Sequence, residues 1–121
     1  MKYMLLIYQD EQSWNSINEA ERQQIYSEYG ALVEQLHASG QFVSGSELQP
    51  ITTATSLRVR DGKELITDGP FAETHEQLGG YFLVEAENLD EATKIAARIP
   101  SAKTGTIEIR PLAESAAEAS A

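Results

Sequence analysis

The side chains of this chain that could move protons or hold a ligand lie in one turn and on a few scattered aromatic and basic positions. Asp68 opens the turn Asp68-Gly69-Pro70-Phe71, and His75 follows in the polar run Glu73-Thr74-His75-Glu76-Gln77. A carboxylate at the mouth of a cleft can act as a base or contact a ligand. In the plainer alternative, Asp68 accepts hydrogen bonds from the N–H groups that follow it, as aspartates in turns do. Histidine has a reference pKa of about 6.5, so His75 could serve as general acid or base, partnered by Asp68, Glu73 or Glu76. As an exposed residue of a polar segment it would have no such role. Arg58 and Arg110 carry the planar fork that grips a carboxylate or phenolate, or they pair with acids on neighbouring strands. Tyr3, Tyr8, Tyr29 and Tyr81 could line an amphipathic cavity or fill the core. Phe71 is expected to anchor its turn in the core. The catalytic candidates are therefore Asp68 and His75. The ligand-binding candidates are Arg58, Tyr29, Phe71, Glu73, Tyr81 and Arg110. His37, near the end of a helix, suits the negative end of the helix dipole and reads as structural.

What the chain lacks narrows this chemistry. Its 121 residues contain no cysteine and two histidines, which excludes a thiolate nucleophile, a disulfide framework and a thiolate metal site. No metal and no other cofactor is expected. The 19 acids against 9 Lys and Arg give a net charge of −10. That balance disfavours nucleic acid and anionic membrane surfaces, both of which need clustered cations. The run Met4–Tyr8 is far shorter than a membrane span of ~20 residues and does not match a signal peptide, so a cytoplasmic protein is expected.

The elements that must position these side chains follow from periodicity. Residues 2–8 read as a strand, with Tyr3, Leu5 and Ile7 on one face and Met4, Leu6 and Tyr8 on the other. Both faces are apolar. Residues 9–15 read as a polar loop. A helix starts at Ser16 or Asn18, each of which has a Glu three residues on. It carries Ile25, Tyr29, Leu32, Val33 and Leu36 on one face and ends at Gly40. Close packing on a sheet would explain Gly30 inside it. Phe42 begins a second strand, limited by Pro50. Thr55–Arg60 and Lys63–Thr67 flank Asp61-Gly62, a two-residue hairpin signal. Tyr81–Ala86 is a further strand. Asn88 with Glu91 caps a short helix bearing Ala92, Ile95, Ala96 and Ile99 and stopped by Pro100. Thr106–Leu112 closes the fold, with Ile107 and Ile109 inward.

This order predicts an α+β domain over residues 1–112, with a ferredoxin-like βαβ-hairpin-βαβ chain path. An antiparallel sheet would carry two helices on one face. The apolar second face of the first strand then calls for a homodimer through the sheet face, an α+β barrel, unless a layer of loops covers it. Residues 113–121, rich in Ala, Ser and Glu, read as a flexible tail. Without Glu114 and Glu118 the folded part is nearer −8.

The segment from Asp68-Gly69-Pro70-Phe71 to Gly79-Gly80-Tyr81 resembles the signature of the DGPF branch of the YCII-related family. Lys2–Tyr8, Leu57-Arg58 with Asp61-Gly62, Asp90-Glu91-Ala92 and Ile107–Pro111 agree with that family's first strand, hairpin, second helix and closing strand. The resemblance implies a dimeric α+β barrel. Most members are small bacterial proteins without an assigned reaction. A recurring His and Asp suggest enzymes in the wider group, and some relatives act on chlorinated or hydroxylated ring compounds. Tyr29 and Ile99 stand here in place of that pair. Two readings result. One is a cofactor-free small-molecule enzyme, which moves a proton in isomerisation or elimination of a ring or carboxylated compound. The other is a non-catalytic dimeric module that binds a metabolite or regulates a partner.

Overall fold

The computed structural model describes residues 1–113, so the expected tail lies, beyond Ala113, outside the described residues. Strand β1 (Lys2–Gln9) is the spine of a four-stranded antiparallel sheet. Its partners are β5 (Gln77–Glu85) on one side and β6 (Thr106–Pro111) on the other. Strand β2 (Phe42–Glu47) lies outside β5, giving the order β2-β5-β1-β6. This is the ferredoxin-like α+β arrangement that the sequence predicts.

The period-2 pattern of β1 decides which face is covered. Tyr3, Leu5 and Ile7 are buried, while Met4, Leu6 and Tyr8 are only half-buried. The covered face packs on helix α2 (Glu19–Ala38) through Leu32 and Leu36, and on α3 (Leu89–Ala97) through Ala92, Ile95 and Ala96. The core is completed by Phe82, Val84 and Ile99. Both long helices thus sit on one face. No helix among the described residues is long and apolar enough to cross a membrane.

Local signals set the ends of these elements. Asn18 is the α2 cap, and its side chain accepts the Glu21 N–H at 2.8 Å. Asn88 does the same for α3 with the Glu91 N–H at 2.9 Å. Each such cap is worth about 1 kcal/mol. Gly40 takes the left-handed φ of 76° just past α2, and the Gln41 N–H closes back on the Leu36 carbonyl at 2.8 Å. Asp61 and Gly62, with φ of 52° and 75°, join β3 (Thr55–Arg60) to β4 (Lys63–Asp68) in a tight hairpin.

Two expectations are corrected. Residues expected as a polar loop form a short helix, α1 (Glu11–Ser16), because Asp10 caps it by accepting the Gln12 N–H at 3.0 Å. Phe71 does not anchor its turn in the core: it is 82% exposed. The hairpin explains why. Among the described residues, β3 and β4 pair only with each other and form a separate two-stranded sheet. Their apolar face, with Leu57, Val59 and Ile66, is exposed, with no layer of the described residues over it.

Candidate ligand site

Helix α2 covers the sheet with only half its length. Leu32 and Leu36 are buried, but Ile25, Tyr29 and Val33 on the same face are half-buried. They are half-buried because they form one wall of a cavity of about 410 Å³ between α2 and the sheet. That volume falls in the range of about 300–1,000 Å³ usual for small-molecule sites. Gly30 lines this cavity, and a Cβ there would meet nothing within 4 Å. The residue leaves space open, in place of the close sheet contact that its position in the helix suggests.

The floor comes from the sheet: Ile7 of β1, Phe42 and Gly45 of β2, and Gly80 and Phe82 of β5. Two of these glycines are forced by close approach. A Cβ on Gly45 would stand 2.9 Å from the Tyr81 carbonyl oxygen, and one on Gly80 would stand 2.8 Å from that of Ser46. The floor rings meet edge to face, with Phe42 and Phe82 centroids 5.7 Å apart and Tyr29 and Phe82 6.1 Å apart. Such geometry suits the aromatic quadrupole.

The mouth is built by α1. Its one aromatic residue, Trp14, packs edge-on against Tyr26 of α2 at 5.5 Å. The Arg22 guanidinium fixes it from outside, donating to the Trp14 and Asn15 carbonyls at 3.3 and 3.1 Å. Glu11 ties α1 to the rest in two ways. Its N–H donates to Gln77 Oε1 at 2.9 Å, and its carboxylate accepts the Ile51 N–H at 3.0 Å. Gln77 in turn donates to the Thr74 carbonyl at 2.7 Å, which joins the cavity rim to the signature segment.

A polar chain runs into the inner wall. The Tyr29 hydroxyl lies 2.7 Å from Ser101 Oγ, and Ser101 donates to Gln9 Oε1 at 3.0 Å. Ser101 is only 6% exposed. Its hydroxyl has one proton. When that proton goes to Gln9, Tyr29 must donate to Ser101. When it turns to Tyr29, the phenol proton is free to face the cavity. Burial is the main cause that pushes the Tyr29 phenol above its ordinary value, opposed by Ser101 and aided by the Glu47 charge. At neutral pH the group is therefore a neutral donor.

The phenol shifts have a consequence for stability. Tyr8, Tyr26 and Tyr29 all have pKa values raised above the ordinary 10.0, mainly by burial, with Glu108 adding to the effect at Tyr8 and Glu47 at Tyr26. The folded state then holds these protons more tightly than the unfolded state. Their contribution is fully present below pH 10 and is lost as pH rises through the folded values. Urea midpoints should fall from about pH 10 upward, and the fall should be shallower in Tyr29→Phe.

The structure distributes the sequence-predicted residues widely. Tyr29 lines the cavity. Asp68 ends β4, exposed, and its turn is closed by other groups: the Gly69 N–H donates to the Ala54 carbonyl at 2.7 Å, and Ser56 donates to the Gly69 carbonyl at 2.8 Å. Glu73 and His75 are exposed in the segment before β5, and Arg58 is exposed on β3. Arg110 pairs with Glu108 at 3.6 Å on the uncovered sheet face. Tyr81 lies on that face too, opposite Leu6, so the sheet separates it from Tyr29. Phe71 borders a second cavity of about 480 Å³ with Tyr8, Pro50 and Leu78. Asp68, His75 and Arg58 are not brought into one buried cavity. Of the pair Tyr29 and Ile99, Ile99 is core at 1% exposure, and Ser101 two residues on is the polar partner.

Trp14, Tyr26, Glu47, Gln9 and Ser101 are missed by sequence reasoning. The available signal was a lone tryptophan in a polar stretch, since such a ring needs a surface to cover.

The chain matches the family model described as the YCII-related domain over residues 1–116. It is also 36% identical over 115 residues to an uncharacterised protein of Rhizobium meliloti (strain 1021), with 93% of each chain covered. A match that spans nearly all of the described fold places this protein in the YCII-related family.

Proposed function

We propose that the cavity under α2 binds a small organic molecule, and that Tyr29 presents a neutral phenol to an oxygen of it. One observation carries this reading: a cavity of about 410 Å³ with aromatic walls has the hydrogen-bonded chain Tyr29–Ser101–Gln9, centred on the buried Ser101, at its inner end. A few convergent polar groups in an apolar pocket are what fix a ligand's orientation. In its catalytic form, Tyr29 gives hydrogen-bond or acid assistance to a cofactor-free proton transfer, with Ser101 reorienting as the phenol proton moves. The binding-only form needs no base; among the described residues the lining offers only the carboxylates of Glu11 and Glu47, which accept hydrogen bonds from the Ile51 N–H and the Tyr26 hydroxyl. 2-Phenylethanol is a suitable neutral probe. Its affinity, read by NMR titration, should fall up to about tenfold in Tyr29→Phe, the equivalent of one hydrogen bond. An unchanged affinity would remove Tyr29 from the site. Turnover of a screened substrate that is lost in Tyr29→Phe separates the catalytic form from the binding form.

We also propose that a second copy covers the uncovered sheet face, as expected for the DGPF branch. Met4 and Leu6 of β1 and Leu83 of β5 support this: they are half-buried neighbours on central strands, with Met4 directly opposite Leu83. Sedimentation at about 10 µM should give a dimer, since stable interfaces of standard size reach dissociation constants of about 0.1 µM or tighter. A monomer there would refute the pairing.

A further inference from the structure

The cavity has a charge sign, and that sign narrows its ligand. No Lys, Arg or His lines it among the described residues, while two carboxylates, Glu11 and Glu47, do. Both belong to the mouth. Glu47 accepts the Tyr26 hydroxyl at 3.1 Å, and Tyr26 stacks edge-on with Trp14 at 5.5 Å. The entrance therefore combines two electron-rich rings with carboxylate oxygens. Rings attract a cation by their quadrupole, most strongly when it is partly desolvated. Arg22, the cation beside Trp14, does not line the cavity. It lies 5.9 Å from the Trp14 ring centre, held by main-chain carbonyls and by Glu19 at 3.9 Å.

Resting on the small-molecule reading above, we infer that the ligand is an organic amine bound as its cation. Its ammonium sits at the mouth between Trp14, Tyr26 and Glu47, and its apolar body runs inward over Phe42 and Phe82 toward Tyr29. An anionic ligand would face Glu11 and Glu47 with no cation of the lining to meet it.

Three probes of one shape, each with a ring hydroxyl for Tyr29 at one end, test the sign of the group at the other: 4-(2-aminoethyl)phenol, 4-(2-hydroxyethyl)phenol and 3-(4-hydroxyphenyl)propionate, titrated into the full chain at pH 7.5 and followed by NMR. The amine should bind about tenfold more tightly than the alcohol, in keeping with a partly desolvated cation–π contact plus a carboxylate. The carboxylate should bind most weakly. In Glu47→Gln the preference for amine over alcohol should shrink severalfold, and raised salt should shrink it in the wild type. If the alcohol binds and the amine binds no better, or the carboxylate binds best, the charge assignment falls and the cavity reading stands. If none of the three binds, the cavity reading falls and the inference with it.

Discussion

A Leu5→Ala protein should lose about 2–5 kcal/mol of stability, the range for removing a fully buried leucine side chain. Leu5 is 0% exposed at the middle of β1, paired with Phe82 on one side and Ile109 on the other. Leu32 and Leu36 of α2 belong to the same buried cluster. A domain of this size holds roughly 5–15 kcal/mol in total, so the loss takes a large part of it. Leu6, one residue on, points to the uncovered face and is half-buried. Leu6→Ala should cost clearly less in a monomer. The contrast, read from urea midpoints, tests the alternation of β1 directly. Equal losses at a dilution where sedimentation shows a monomer would contradict the assignment of faces.

The second large effect is expected at Ser101. Ser101→Ala takes a partner from both Tyr29 and Gln9. Leaving a fully buried polar group without a partner costs about 1–3 kcal/mol, and for two half-buried groups such as Tyr29 and Gln9 the lower part of that range is expected. Tyr29→Phe removes one hydrogen bond and leaves the Ser101–Gln9 pair intact, at about 0.5–1.5 kcal/mol. Ser101→Ala should therefore be the more destabilising of the two, although it deletes a single oxygen. The double variant should cost less than the sum, because the orphaned phenol is gone. Equilibrium unfolding of the three proteins checks both the order and the coupling. Tyr29→Phe proving worse than Ser101→Ala would show that the chain does not run through the serine.

The fold was legible where the deciding physics is local. Asn18 and Asn88 cap helices, Gly40 ends one, and Asp61-Gly62 turns a hairpin. Each acts within four or five residues of chain, so its spacing can be read directly. The two faces of β1 were legible for the same reason. Helix α1 was not, because a helix of six residues has too little length to show a period. The cavity was legible only at Tyr29. Tyr29 and Ser101 are 72 residues apart, and Ser101 and Gln9 are 92 apart. No periodicity links them, and only the tertiary fold brings them together. The signature segment misled in the opposite way. Asp68, Phe71 and His75 lie within one short stretch of sequence, yet all three are exposed where the chain leaves the hairpin, while Gln77 and Gly80 of the same segment serve the cavity rim and floor.

Where a small aromatic probe binds on this chain is the most direct measurement. An amide-resolved NMR titration with 2-phenylethanol should move the signals of Gly30, Gly45, Gly80 and Ser101, which surround the cavity on four elements. Those of Asp68, Glu73 and His75 should stay in place. Shifts confined to the turn from Asp68 to His75, or to Leu6, Leu83 and Arg110 on the uncovered face, would contradict a binding site under α2.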